Sequence, residues 1–177
     1  MRFFPSTASA RGGALDRRGP KIVWAVWAVL LALCACAATA VNYTVIDQGS
    51  ASGKPFPPLH FDLIAEAAPF EKLFSEIHSD RLPPPAPPKI DFQTSLVVFV
   101  SLGEKPSAGY RMTVDEVTRA QETVRVKIGV QEPPSHEFQA AVITRPFILI
   151  EIKKEAGLRN VALVDAENKV IQLLPVP

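Results

Sequence analysis

Three groups of side chains in this sequence are of types that could do chemistry: two cysteines, three histidines, and a Lys and a Ser bracketed by glycines. Cys34 and Cys36 both lie in an apolar stretch near the N terminus, so no thiol occurs after residue 36. Structural disulfides, cysteine metal sites and cysteine nucleophiles are thereby excluded from the body of the chain. His60, His78 and His136 are scattered, with no i, i+4 pair and hence no His-Glu-x-x-His motif. A helix-borne zinc site needs that spacing, so neither a metal nor another cofactor is expected. Gly103-Glu-Lys-Pro-Ser-Ala-Gly109 follows an apolar run and superficially looks like a phosphate loop. Such a loop ends in Gly-Lys-Ser/Thr, so that the lysine reaches phosphate and the hydroxyl holds magnesium. Here Gly109 is followed by Tyr110-Arg111 and by no long helix. The segment reads as a turn in which Pro106 fixes φ and Gly109 supplies a positive φ. No Gly-x-Ser-x-Gly elbow occurs, while a Ser/His/Asp triad assembles in space and leaves no spacing to read. The reading is of a chain that is not an enzyme, with no catalytic residue and no small-molecule substrate.

Charge and hydropathy place these residues. The 19 basic and 18 acidic residues balance to a formal +1, but residues 1–21 hold Arg2, Arg11, Arg17, Arg18 and Lys21 against Asp16 alone. The remainder is net acidic, so the body lacks the basic footprint of a nucleic-acid binder. From Ile22 to Ile46 there is no charged residue. That length of apolar chain is enough to enter a bilayer, and the one-sided basic flank puts the N terminus in the cytoplasm. The expectation is a bacterial single-pass membrane protein. Residues 1–21 form its leader and residues 22–41 its signal anchor or signal peptide, and the C-terminal domain lies in the periplasm or outside the cell. A secretory signal is offered by Ala38-Thr39-Ala40 before Val41, and a lipoprotein signal by Leu33-Cys34-Ala35-Cys36, with Cys36 the candidate lipidated residue.

The body must then position whatever site exists. Residues 42–68 read as a first strand, within Val41 to Asp47, followed by a flexible turn region from Gln48 to Pro58. Phe70, Leu73, Phe74 and Ile77 stand at i, i+3, i+4 and i+7, which predicts an amphipathic helix over 69–79 with Pro69 in its first turn. The proline-rich stretch 81–89 predicts a stiff, extended connector able to set reach from a membrane. Beyond it the period changes from 3.6 to 2. Strands are predicted at Ser95–Leu102, Tyr110–Val114, Val124–Val130, Ala140–Thr144 and Phe147–Ile152, with a final hairpin of Val161–Val164 and Val170–Leu174. The fold class is mainly β with one helix (α+β), a small antiparallel β-sandwich or barrel-like sheet behind an N-terminal membrane segment.

Asp91-Phe92, the Gly-Glu-x-Pro-x-x-Gly-Tyr turn from Gly103 to Tyr110, and a strand ending in Thr-x-Pro-aromatic at Thr144 to Phe147 together resemble the C-terminal domain of the protease complex subunit PrcB family. With the preceding helix and final hairpin, the resemblance marks residues 69–177 as a PrcB-like β domain. It implies a small exported domain that assembles with a protease. Gly103, Glu104, Pro106, Gly109, Tyr110, Thr144, Arg145, Pro146 and Phe147 then become candidate binding-loop residues. A more distant similarity links Lys105-Pro-Ser-Ala-Gly-Tyr110 and Arg145-Pro146-Phe147 to the paired loops of chagasin-type cysteine peptidase inhibitors. Several of that family's loop residues are replaced, its Trp by Phe147. The function expected is a non-catalytic, membrane-anchored interaction domain, an accessory subunit of a protease complex. The partners expected are the membrane and an exported protein. The alternative is a chagasin-like inhibitor.

Overall fold

The computed structural model describes residues 38–53, 55–134 and 140–177, and those from 38 onward form one compact unit. The basic leader, most of the apolar segment and Cys36 lie outside the described residues. Among the described residues no helix is long and apolar enough to cross a membrane.

The strands are β1 Thr39–Ala40, β2 Tyr43–Ser50, β3 His60–Ile64, β4 Ser95–Ser101, β5 Arg111–Ala120, β6 Thr123–Gln131, β7 Pro146–Lys153, β8 Asn160–Val164 and β9 Val170–Pro175, with the helix α1 at Ala67–Ile77 between β3 and β4. They form a four-stranded sheet, ordered β2-β7-β4-β3, and a five-stranded sheet, ordered β1-β5-β6-β8-β9. Among the described residues the fold is mainly β with one helix, as the periodicity predicts, and neither sheet closes into a barrel. One pair departs from the antiparallel expectation. β6 and β8 run parallel, Val124 opposite Val161 and Val126 opposite Leu163. Between them the chain crosses to the other sheet to form β7, and its return brings β8 alongside β6 in the same direction.

Two apolar layers follow from the period of two along β4 and β7. Leu96, Val98, Val100, Ile148, Ile150 and Ile152 face the five-stranded sheet, where Met112, Val117, Val124, Val126, Val161 and Leu163 meet them. Val97, Phe99, Phe147 and Leu149 face the other way, onto Phe70, Phe74 and Ile77 of α1. The central strands β4 and β7 are therefore buried on both faces, and β4 reads as an almost unbroken apolar run because none of its seven residues is exposed. The helix begins two residues before the predicted start. Its C-terminal end is closed by the 51–53 loop. The backbone N–H and hydroxyl of Ser52 both donate to the Ile77 carbonyl, at 2.9 and 2.8 Å, satisfying an acceptor that a helix end leaves open. Gly53, at φ 78°, lies so close that a Cβ there would stand 2.7 Å from the Glu76 carbonyl oxygen, which restricts the position to glycine.

Three further elements differ from expectation. Thr39 and Ala40, at the end of the segment read as membrane-bound, pair with Arg119 and Thr118 of β5, and Val41 is buried in the core. β3 occupies a stretch left without structure in the sequence reading, because His60 to Ile64 is short and bounded by prolines. Ala140–Thr144 is not a strand. Val142 and Ile143 are exposed, and the segment's one bridge to another stretch of chain is from Thr144 to Lys105, while the Ala140 carbonyl accepts the Ala108 and Val142 N–H groups. The proline-rich stretch 81–89 joins α1 to β4 inside the unit. Because β1, β2 and β3 precede it and belong to the same two sheets, it cannot act as a spacer between the domain and a membrane.

Candidate functional site

The two sequence-predicted loops lie side by side and are bonded into one ridge. The first leaves β4 through Gly103, whose φ is 69° and whose missing Cβ would stand 3.0 Å from Pro58 Cα, a conformation and a packing that both favour glycine. Lys105 and Thr144 exchange backbone hydrogen bonds, the Lys105 N–H donating at 2.8 Å and the Thr144 N–H at 3.0 Å. The Thr144 hydroxyl donates to the Ser107 carbonyl at 2.9 Å. The Arg145 guanidinium donates from Nε and Nη2 to Glu104 Oε1 at 3.1 and 2.7 Å, and the Leu102 N–H reaches the Pro146 carbonyl at 3.0 Å. Gly109 has φ 108°, the positive value expected of it, and Lys105 Nζ stands 5.3 Å from the centre of the Tyr110 ring, a cation–π contact.

The nine predicted residues do not share one environment. Glu104, Pro106 and Gly109 are exposed; Tyr110, Thr144 and Arg145 are half-buried; Gly103, Pro146 and Phe147 are buried. Phe147 is 2 % exposed and packs against Phe99 and His78. It belongs to the core and is not available to wedge into a partner. Beside the ridge runs a groove of about 520 Å³, walled by Gln48–Ser50 of β2 and by Gly109–Thr113, with Pro146 and Phe147 beneath. Sequence reasoning missed the β2 wall, because its residues are polar and small and read as turn formers.

Two polar clusters were also not foreseen. His78, 3 % exposed, sits between Phe74 and Phe147 with Nε2 2.7 Å from Asp47 Oδ2. The pair ties the end of α1 to β2 at the irregularity between Val45 and Asp47. At the opposite end of the sheet, Lys153 Nζ donates to Ser95 Oγ and to Glu151 Oε1, both at 2.8 Å, and Ser95 Oγ donates to the same carboxylate at 2.5 Å. The Lys153 hydrogen bond first, and that of Ser95 second, hold the Glu151 carboxyl below its usual range. A Ser–Lys pair is a possible nucleophile and base, but Ser95 is fully buried and its proton is committed to Glu151. The arrangement is a clamp between β4 and β7. Among the described residues no cluster of three or more His, Cys, Asp or Glu is placed to hold a metal ion.

Residues 96–153 match the family model described as PrcB C-terminal. This stretch is similar to the PrcB C-terminal domain. The match runs from β4 through the end of β7 and takes in the whole ridge, both glycine turns and one wall of the groove. It leaves α1 and the final hairpin outside, although the resemblance in the sequence extended over both. Neither the curated proteins nor the solved structures give a match to the chain, and the likeness to chagasin-type inhibitors is not supported by any comparison.

Proposed function

We propose that this chain is a non-catalytic, membrane-anchored accessory subunit that holds a protease on the outer side of the cytoplasmic membrane, through the ridge formed by residues 103–110 and 144–147. The observation that carries this reading is the ridge itself. Inside the PrcB C-terminal stretch, two loops distant in sequence are joined by paired backbone bonds and by the Glu104–Arg145 ion pair, which presents Glu104, Pro106 and Gly109 on a preformed surface. Preorganisation of this kind lowers the ordering cost of binding a partner. Anchoring and orientation are supported by the uncharged stretch from Ile22 and by the five basic residues before it.

Crosslinking of the full chain in native membranes, followed by affinity recovery and an assay of proteolytic activity in the recovered material, tests the reading. Recovery of a protease is expected. Glu104→Arg should abolish it by setting two cations against each other, and adding Arg145→Glu should restore it by exchanging the pair. Equal recovery with all three proteins would show that the ridge is not the contact. A reporter enzyme active only outside the cytoplasm, fused after Pro177, tests the orientation. It should be active, and activity only from a cytoplasm-specific reporter would reverse it.

A further inference from the structure

We propose that the groove beside the ridge accepts an extended, acidic segment of a partner protein as an added β-strand on the open half of β5. The inference deepens the subunit reading and rests on it, since it specifies how a partner is held.

The edge of β5 is used by the chain itself along only part of its length. β1 covers Thr118 and Arg119, and the Val41 N–H donates to the Val117 carbonyl at 2.9 Å. From Glu116 back to Arg111, among the described residues, β5 has a strand on one side only, β6. The register slips between Val114 and Glu116, as a bulge causes, and beyond it the Val114 carbonyl faces away from β6, accepting the Tyr43 hydroxyl at 3.4 Å. Because main-chain groups in a strand alternate sides, the N–H and C=O of Met112 face the same way, into the groove. An incoming strand antiparallel to β5 would continue the line that β1 begins.

The neighbouring edges are closed to such pairing. On β2, the Asp47 carboxylate accepts the Gln48 N–H at 2.8 Å, and on β3 the Asp62 carboxylate accepts the Leu63 N–H at the same distance. Inward-turned carboxylates of this kind guard edges against addition. No such guard stands on Met112. The charge of the occupant follows from Arg111, which lines the groove, is exposed and forms no ion pair among the described residues. Lys105 lies close by over Tyr110. Strand addition supplies affinity through the main chain and selectivity through side chains at alternate positions, so a carboxylate two residues from the Met112 partner meets these cations.

The test uses the full chain in detergent micelles and two synthetic probes of alternating Val and Thr, one flanked by Glu and the other by Lys. Amide hydrogen exchange at Met112 should slow at least about tenfold with the Glu-flanked probe and stay unchanged with the Lys-flanked one. Arg111→Glu should invert that preference. Fluorescence anisotropy of the same labelled probes gives the affinities. Binding without protection at Met112, or equal binding of both probes, would overturn the proposal, as would no binding by either at about 1 mM. Protection of Met112 that grows with protein concentration alone would overturn it in favour of pairing between two copies. Each of these failures is separable from failure of the subunit reading, because protease recovery from membranes is measured without the probes.

Discussion

The two sheets share a core, yet they treat their outer surfaces in opposite ways. In the four-stranded sheet the central strands β4 and β7 are covered on both faces, by α1 on one side and the second sheet on the other, and a carboxylate caps an amide on each of its edge strands. The five-stranded sheet keeps a polar outer face along β5, with Arg111, Thr113 and Glu116 exposed, and among the described residues half of that strand's edge is unpaired. The difference separates two tasks. A strand buried on both faces can contribute most to stability but offers little to a partner, whereas a half-wet sheet contributes less and retains surface for recognition. The PrcB C-terminal stretch spans both, taking β4 and β7 from one sheet and β5 and β6 from the other.

The comparison is tested most severely at Phe99, which is fully buried and touches Phe56, His60 and Phe147. Phe99→Ala should cost about 3–5 kcal/mol, read as a fall in Tm and in the denaturant midpoint. Arg111→Ala on the other sheet should stay within about 0.5 kcal/mol, and similar losses at the two positions would erase the proposed division. Next in size is Gly103→Val, at the junction of β4 with the ridge. Positive φ and the close approach of Pro58 together should destabilise by about 1–3 kcal/mol. An unchanged melting temperature would mean that the turn relaxes without strain.

A smaller effect is expected at the clamp. Glu151 is stabilised in its ionised form, so its contribution is present above its ordinary value of 4.5 and is lost as the pH falls through that value toward the lowered one. Ser95→Ala should reduce stability by about 1 kcal/mol at neutral pH and flatten the acid side of the stability profile. A mutant profile parallel to the parent's would show that Ser95 contributes nothing to the carboxylate's shift. Smallest of all is Arg145→Ala. Its ion pair with the half-exposed Glu104 should be worth less than about 1 kcal/mol to the fold, while partner recovery should fall sharply. A large loss of stability would move the ridge from the recognition side of the comparison to the structural side.

What could be read from the sequence follows the same division. The apolar run at Ser95–Leu102, the helical stripe of Phe70, Phe74 and Ile77, and the final hairpin were legible because burial on a fixed face imposes a period. Ala140–Thr144 has an apolar composition but pairs only through the single bridge from Thr144 to Lys105, and no property of the segment itself reveals that. β1 was hidden because Thr39 to Val41 continues an apolar stretch, and a core and a bilayer select similar side chains. At the ridge, the glycines announced their turns, whereas Phe147 could not be assigned to core or rim, since an aromatic side chain suits both. The groove left no trace. Its walls come from β2 and β5, and its floor from β7, so it exists only after the sheets have assembled.

The place of Val41 in the core sets an order of events for the chain's maturation. A peptidase cutting after Ala40 would need the bond before Val41 in an extended and accessible form, but in the folded domain Val41 is 7 % exposed and its amide is bonded to Val117. Cutting there would convert that amide into a charged amine at a buried position and detach β1 from β5. A cut at this bond and closure of the domain would therefore compete in time.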